Sequence, residues 1–273
     1  MACLREPAPE PGTFISAAPG IGRIVAANPG AMTYHGTNTW LLQSNNEFYI
    51  IDPGPNIDAH LAALRAALAG RLTAILLTHR HADHAAAAPL LAAIFGAPIA
   101  AFAGATDIPL ADGTQLGPFT AWHTPGHAAD HLCFALADGT VFTGDHVMGW
   151  STSVIPPPPE GDMSAYMRSL ARLRGQGFRA FLPGHGPAIG APDAWLGRLL
   201  AHRERRESAI LACLAKAPLI EAQLARLMYP ALAPDLARPA AMTLNAHLLK
   251  LQAEGRVVCN DGLWIATTKA PHP

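Results

Sequence analysis

Over roughly its first 190 residues the chain alternates short apolar runs with turns rich in Gly, Pro, Asn and Asp. Apolar runs of about four to eight residues between such turns predict β-strands. We expect strands at 21–27, 39–43, 47–51, 72–77, 98–102, 119–123, 132–136, 140–143 and 180–182. Longer runs between them, one of them rich in alanine, predict helices at 59–68, 85–95 and about 162–174.

From residue 192 onward the pattern becomes helical. We expect a long amphipathic helix at 195–215, a second at 220–227 and a third at 239–254, where Leu244, Leu248 and Leu251 form an apolar stripe. Two short strands at 256–259 and 263–266 follow. Three helices and a hairpin are the order of a winged helix. We therefore divide the chain into a loosely ordered segment at 1–20, a main domain at 21–191 and a winged-helix-like domain at 192–273.

The composition supports a large core and gives no sign of export. The chain is 50% hydrophobic and 14% charged, against a usual charged share of about 25%. No apolar segment reaches the roughly 18 residues of a membrane span, and residues 1–11 lack the apolar stretch of a secretory signal. The four cysteines have neither zinc-ribbon nor redox spacing. We predict a cytoplasmic protein with reduced thiols and no membrane contact.

Four potential metal ligands follow the apolar run at 72–77: His79, His81, Asp83 and His84. They lie between a predicted buried strand and a predicted helix, where a rigid scaffold can hold side chains toward one point. Alternation along an extended chain sends His79 and His81 to the same side. Imidazole and carboxylate ligands without cysteine are typical of catalytic rather than structural zinc sites. The cluster predicts a catalytic metal site.

Three further strand ends pair a glycine with a residue of a metal-ligand type. Each pair alone could be only a turn. Strand ends that meet at one sheet edge are, however, where a sheet-based enzyme builds its site, and glycine permits the tight turns this needs. Together with the first cluster these pairs predict two metal sites. They are Gly126–His127, Gly144–Asp145 and Gly184–His185.

The order of these ligands resembles the metallo-beta-lactamase superfamily across about residues 20–190. The resemblance implies an α+β protein with an αββα sandwich: two mixed sheets face each other, helices cover both outer faces, and the metals lie at one edge. It also implies one metal held by His79, His81 and His127. The second metal would be held by Asp83, His84 and His185.

In the same family pattern Asp145 bridges the two metals together with a water or hydroxide, and Asp83 also orients that hydroxide as a catalytic residue. Two adjacent ions can activate water at neutral pH and stabilise negative charge on the substrate. The resemblance favours two zinc ions. Iron and manganese remain open, because His and Asp ligands serve all three metals.

Five shorter motifs stand along the chain: Thr37-Asn38-Thr39, Asp52-Pro53-Gly54, Thr124-Pro125-Gly126-His127, Pro183-Gly184-His185-Gly186 and His202-Arg203-x-x-Arg206-Glu207. They resemble the beta-lactamase-like protein 2 branch, which has a C-terminal winged-helix-like domain and includes an endoribonuclease. The resemblance implies a hydrolase that cleaves phosphodiesters in single-stranded RNA. The alternative is a thioester or small-ester hydrolase similar to glyoxalase II, which a narrow apolar pocket lined by Trp150, Tyr166 and the proline run at 156–159 would favour.

A third hypothesis is a winged-helix regulator with a vestigial sandwich, but a complete ligand set argues against it. Residues 192–273 contain ten Lys or Arg and seven Asp or Glu, a balance of +3. The third helix offers only Asn245, His247 and Lys250 to a nucleic acid, too few for phosphate contacts. We expect no sequence-specific DNA binding. Instead we expect a module that walls the cleft or forms a homodimer. Other substrate-side candidates are His35 and Asn38.

Overall fold

A seven-stranded sheet organises the first 110 residues of the computed structural model, which describes residues 3–104 and 106–267. Its strands lie side by side in chain order. The first four strands pair antiparallel, and from the fourth strand to the seventh the neighbours pair parallel. They are β1 (Phe14–Ala18), β2 (Ile21–Val25), β3 (Asn38–Ser44), β4 (Glu47–Ile51), β5 (Ala74–Leu76), β6 (Ile99–Phe102) and β7 (Ile108–Leu110).

A second sheet of five strands is stacked against the first. Its strands are β8 (Gln115–Leu116), β9 (Phe119–His123), β10 (Leu132–Leu136), β11 (Thr140–Gly144) and β12 (Ala180–Pro183). In space their order is β12, β11, β10, β9, β8; β11 and β12 pair parallel, and the other neighbours pair antiparallel. The two sheets share one apolar core, in which Tyr49 and Ile51 pack with Phe119 and Phe134.

Helices cover both outer faces. Alternation along β4 turns Ile50 away from the shared core and toward Leu64 and Leu91 of the helices on the first sheet. On the second sheet, Phe181 packs against helices that include Tyr166. The predicted αββα arrangement is confirmed. The first face carries α1 (Asp58–Leu68), α2 (Ala82–Ala85) and α3 (Ala88–Phe95), and the second carries α4 (Met163–Leu173) and α5 (Pro192–Leu214).

A smaller helical unit with a three-stranded sheet completes the chain. Its core includes Leu214, Leu224, Leu248 and Trp264. Helix α5 joins this unit to the sandwich, because its first half packs on the second sheet and its last turns enter the small core. The elements are α6 (Glu221–Met228), a 3-10 helix (Pro234–Leu236), α7 (Ala237–Ala253), and β13 (Leu219–Ile220), β15 (Leu263–Ala266) and β14 (Val257–Asn260) in spatial order.

The expectation of a loosely ordered segment at 1–20 is wrong for most of that segment. Strand β1 pairs with β2, the Leu4 amide donates to the carbonyl of Gly149 at 2.9 Å, and Glu6 forms an ion pair with Arg23. The proline and alanine content of this segment suggested disorder. The contacts that order it could not be recognised locally, because some of their partners, such as Gly149, lie far away in the sequence. Residues 1, 2 and 268–273 of the predicted terminal segments lie outside the described residues.

The predicted helix at 85–95 is two helices. The Ala87 amide donates to the Gly54 carbonyl at 3.0 Å rather than to the preceding turn. Pro89 has no amide hydrogen to donate, so the helical ladder is interrupted between α2 and α3. The short strands β7, β8 and β13 were also not predicted, since two or three residues carry too little alternation to be recognised.

A buried carboxylate connects α5 to α7. Glu207 accepts from Lys250 Nζ at 2.9 Å and lies 3.2 Å from His247 Nδ1. Burial would raise the pKa of Glu207, but its hydrogen bonds from His247 and Lys250 lower that pKa below its usual 4.5. A folded-state pKa below the unfolded value stabilises the fold above about pH 4.5, and this contribution is lost as the pH falls through the folded-state pKa.

We predict that Glu207→Gln lowers the free energy of unfolding by roughly 1.5–3 kcal/mol at pH 7, because it removes charged hydrogen bonds from a buried cluster. The deficit relative to the unmodified protein should shrink as the pH falls below 4.5. Urea denaturation at a series of pH values measures it. Glu254→Gln, an exposed partner of the same lysine, serves as the control and should cost well under 1 kcal/mol. An equal, pH-independent loss in both variants would contradict this account.

Candidate metal centre

All seven predicted metal-ligand side chains meet at one edge of the sandwich. The loop after β5 carries His79 and His81, and the short helix α2 that follows it carries Asp83 and His84. His127 follows β9, Asp145 follows β11, and His185 follows β12. The edge therefore gathers chain segments that are more than a hundred residues apart.

Three imidazoles form the first cluster. His79 Nε2 lies 2.9 Å from His81 Nδ1, and His127 Nε2 lies 3.0 Å from the same His81 nitrogen. The three nitrogen atoms lie within 4.8 Å of one another, a spacing at which they could hold one metal ion. His79 is buried and His81 is exposed, so the cluster opens to the surface on one side.

Asp83, His84 and His185 form the second cluster. His185 Nε2 lies 3.3 Å from Asp83 Oδ2, and His84 Nε2 lies 3.5 Å from the same oxygen. Asp145 stands between the clusters: its Oδ1 lies 3.4 Å from His185 Nε2, and its Oδ2 lies 3.7 Å from His127 Nε2. One carboxylate thus presents an oxygen atom to each cluster.

The buried polar atoms of the second cluster have a spacing that suits a cation. Among the described residues, His84 Nε2, His185 Nε2 and Asp145 Oδ1 are buried without a hydrogen-bond partner, which is costly for polar groups. Ligand atoms about 2.0–2.1 Å from a tetrahedral zinc lie roughly 3.3–3.4 Å apart. The two imidazole nitrogens lie 3.4 and 3.5 Å from Asp145 Oδ1 and 3.3 and 3.5 Å from Asp83 Oδ2, which matches that spacing. The residues fit a metal ion.

Each buried imidazole is oriented by a hydrogen bond at its other nitrogen. His84 Nδ1 lies 2.9 Å from Asp52 Oδ2, His127 Nδ1 lies 2.6 Å from the Val154 carbonyl, and His185 Nδ1 lies 3.2 Å from the Gly36 carbonyl. Such outer partners fix the ring tautomer and raise the basicity of the ligating nitrogen. The sequence placed Asp52 in a motif but did not reveal this role, since 32 residues separate it from His84.

Asp52 could itself be mistaken for a ligand, because its carboxylate lies near both His79 and His84. Its oxygens, however, already accept hydrogen bonds from the Thr78 amide at 2.8 Å and the Thr78 hydroxyl at 2.7 Å. Asp52 therefore supports the loop that carries the histidines.

The two clusters differ in the pKa values of their histidines. Burial and the neighbouring His84 and His127 lower the pKa of His79 well below its usual range, so its imidazole is neutral. Burial opposes a charge on His185, but Asp145 and Asp83 raise the pKa of His185 to about 9. Burial also opposes the charge on Asp145, yet His185 and His84 hold its pKa well below the usual range. A cation entering the second cluster must displace protons from its histidines.

Glycine at position 184 is required by the close approach of the second cluster. A Cβ atom there would lie 2.6 Å from the His84 ring and 2.8 Å from Asp145 Oδ1. Gly144 has φ +46°, and a Cβ there would lie 2.5 Å from the Thr78 hydroxyl. Gly184 therefore makes room for the second cluster and Gly144 for the start of the histidine loop, whereas a Cβ at Gly126 would meet Tyr166.

A cavity of about 280 Å³ lies over the clusters and is lined by His81, Asp83, His127 and Asp145. Its other walls are mostly apolar, and part of them belongs to α7. Arg238 and Glu160 are the charged residues of this outer wall. The C-terminal unit thus walls the cleft, as predicted. The remaining lining residues are Met32, Met148, Val154, Pro156, Pro239 and Met242.

The predicted substrate-side residues have structural contacts instead. Trp150 stacks on Tyr34 with ring centroids 5.0 Å apart. Tyr166 is buried beneath the second sheet, and of the proline run only Pro156 lines the cavity. Asn38 is buried and donates to the carbonyls of Pro183 and Gly186, which holds the loop that carries His185. His35 Nε2 lies 3.2 Å from the Glu6 carbonyl.

Comparison with known proteins decides the family. The family model of the metallo-beta-lactamase superfamily matches residues 32–119, and that of the beta-lactamase associated winged helix domain matches residues 221–264. The Beta-lactamase-like protein 2 homolog of Drosophila melanogaster is 33% identical over 263 residues, covering 86% of this chain and 88% of its own length. The chain belongs to the metallo-beta-lactamase superfamily.

Other members of the superfamily extend this result. An Atrochrysone carboxyl ACP thioesterase of Aspergillus chevalieri is 34% identical over 208 residues, which cover 72% of this chain and 66% of the thioesterase. A metallo-beta-lactamase family protein from Thermus thermophilus has the same fold, with a TM-score of 0.79, 23% identity, and coverage of 92% of this chain and 99% of its own. TTHA1623, solved in a di-iron-bound form, has a TM-score of 0.54, 27% identity, and coverage of 66% and 96%.

These matches confirm the predicted winged-helix domain. They also confirm that the chain resembles beta-lactamase-like protein 2. They also identify the chain as a metal-dependent hydrolase and rule against a regulator with a vestigial sandwich. Among the described residues, no helix is both long and apolar enough to cross a bilayer.

We predict that Asp145→Ala removes bound metal and hydrolysis together, because it deletes the oxygens that face both clusters. Metal analysis of the dialysed variant measures the loss. Asp130→Ala, at a carboxylate that approaches Arg80 rather than the clusters, serves as the control and should keep its metal. Two ions retained by Asp145→Ala would contradict the arrangement.

We also predict that Asp52→Asn weakens metal binding by about 10–100-fold while leaving the ligands in place, because it disturbs the partner of His84. Competition with a chelator of known affinity measures this change. An unchanged affinity would show that the Asp52 contact does not tune the site.

Proposed function

We propose that the chain is a binuclear hydrolase of thioesters or small esters. The observation that carries this proposal is the cavity over the clusters, whose volume is about 280 Å³ and whose outer walls are mostly apolar. Such walls suit an acyl group, and a small-molecule site is usually an apolar concavity with a few polar groups. The similar Atrochrysone carboxyl ACP thioesterase of Aspergillus chevalieri is named for the same class of bond.

In this proposal His79, His81 and His127 hold one ion, Asp83, His84 and His185 hold the other, and Asp145 contributes an oxygen to each. The donors favour zinc, iron or manganese, and we propose zinc first. The relative solved in a di-iron-bound form supports the number of ions and keeps iron open. When bound, a metal pair supplies Lewis acidity, which makes water nucleophilic at neutral pH and stabilises negative charge on the substrate.

The chain's own residues orient the reactants. Asp83 lines the cavity and about a third of its side chain is exposed, so its carboxylate can accept a proton from the attacking water and hold that water beside the scissile carbonyl. Met148, Val154 and Met242 exclude bulk water from the acyl side. Arg238 at the rim offers a cation to an anionic part of the substrate.

Single-stranded RNA is the less favoured substrate. A nucleic-acid strand needs a path of basic side chains, and usually aromatic platforms for its bases. Arg238 is the basic residue of the cavity wall, and the lining contains no Trp, Tyr or Phe. Arg80, the basic residue of the metal loop, is directed to the carbonyls of Phe102 and Ala103 at 3.0 and 2.6 Å.

Parallel assays of the metal-loaded protein on an S-acyl thioester, an aryl ester, a generic phosphodiester and single-stranded RNA test this proposal. We predict that kcat/KM for the thioester or ester exceeds that for both phosphodiesters by at least about tenfold. Because Asp83→Asn also weakens a ligand of the second ion, its turnover is measured at a metal concentration that fills both sites, and it should still fall by about 10²-fold or more. Efficient cleavage of RNA with ester hydrolysis at the buffer rate would contradict the proposal.

A further inference from the structure

A second cavity lies at the junction of the sandwich and the winged-helix domain. Its volume is about 140 Å³. At ~30 Å³ per water molecule it could hold on the order of four waters, and therefore a tetrahedral oxyanion. The segment before the proline run forms one wall, with the hydroxyl groups of Ser151 and Thr152. Helix α5 forms another, with His202, Arg203 and Arg206.

The cavity wall contains a buried cation that lacks a counter-charge. Arg203 is only 2% exposed. Its Nη2 donates to the Ser153 carbonyl at 2.5 Å, and its guanidinium lies over the Tyr166 ring, 5.2 Å from the ring centroid. Its Nε is buried and has no hydrogen-bond partner among the described residues. Within residues 3–104 and 106–267, no carboxylate forms an ion pair with it. Burying an unpaired charge is strongly unfavourable, so an anion bound beside this guanidinium would stabilise it.

The carboxylate one turn further along the helix does not supply that charge. Glu207 lies one turn further along α5, but its two oxygens are engaged by Lys250 and His247. Arg206 adds a second cation, which donates to the Met228 carbonyl at 3.2 Å and lies over the Tyr229 ring at 4.7 Å. No ion pair with an acidic side chain holds Arg206 either, within the residues that the structure describes.

The lowered pKa of His202 is consistent with excess positive charge on this wall. Burial, together with the charges of Arg203 and Arg206, lowers the pKa of His202 to about 4. A neutral imidazole can still donate one hydrogen bond. Cations, hydroxyl-bearing residues and an imidazole on one side of a small space, with apolar residues such as Leu232 and Leu236 on the rest of its lining, supply the donors that bind a phosphate group.

The second cavity also adjoins the metal centre. Val154 and Pro239 line both cavities, so the two share a wall. Ser153 joins them more directly: its carbonyl accepts from Arg203, and its hydroxyl donates to the Asp145 carbonyl. A phosphate group in the second cavity would therefore lie across this shared wall from the metal clusters.

We propose that this cavity is a phosphate-binding site that holds the phosphate group of a phosphorylated substrate beside the metal centre. The binding of phosphate stands on the cavity alone. The role in substrate selection rests on the proposed function, and it predicts a thioester whose leaving thiol carries a phosphate group.

Calorimetric titration of inorganic phosphate into the metal-loaded protein tests the site. Phosphate could also bind the metals, so the comparison of variants isolates the cavity. Arg206→Gln should weaken phosphate binding by about tenfold or more, because it removes a charged donor. Arg205→Gln, the exposed neighbour outside the cavity, should leave it unchanged. Equal phosphate binding in the unmodified protein and Arg206→Gln, or no binding at all, would overturn the proposal.

Hydrolysis of S-acetylphosphopantetheine and S-acetylpantetheine tests the role in selection. We expect the phosphorylated thioester to be preferred in kcat/KM, and Arg206→Gln to reduce that preference while leaving kcat for the unphosphorylated thioester intact. Equal kcat/KM values for the two thioesters would overturn the role in selection. Failure to hydrolyse either thioester would contradict the proposed function, and the phosphate titration would still decide the site.

Discussion

The position of Asp145 between two clusters of imidazoles is the constraint on which the rest of the structure depends. Its two oxygens face opposite sides, toward His185 at 3.4 Å and toward His127 at 3.7 Å. Buried carboxylate and imidazole atoms without hydrogen-bond partners destabilise a fold unless a ligand satisfies them. Metal ions would do so, and the free energy of their binding would then stabilise the fold as well. The stability of this edge and its chemistry therefore have a common origin.

The sandwich is suited to this constraint because strand ends from both sheets meet at one edge. Rigid strands set the positions, and the short loops after them carry the donors. Asn38 clamps the Pro183–Gly186 loop, and Asp52 ties the start of the metal loop to β4 through Thr78. The winged-helix domain then closes the cleft from the side with Pro239 and Met242, so residues of both domains line the cleft over the clusters.

Much of this could be predicted from the sequence, because the donors stand in a compact motif and beside glycines at strand ends. Apolar periodicity gave the long strands and the helices of both units. It missed β1, whose pairing and anchoring through Glu6 and Arg23 depend on partners distant in sequence. It also missed the role of Asp52 and the shape of the cavity, because α7 approaches the metal edge only in the folded chain. Trp150, which the sequence offered as a candidate pocket residue, packs on Tyr34.

The central claim is that one carboxylate joins two metal ions held by six further side chains. Anomalous diffraction from crystals of the metal-loaded protein, collected on both sides of the metal absorption edge, tests it most directly. The account predicts two peaks roughly 3.5–4 Å apart, one among His79, His81 and His127 and the other among Asp83, His84 and His185, with Asp145 between them. A single peak that Asp145 does not contact, or metal bound only elsewhere on the chain, would contradict it.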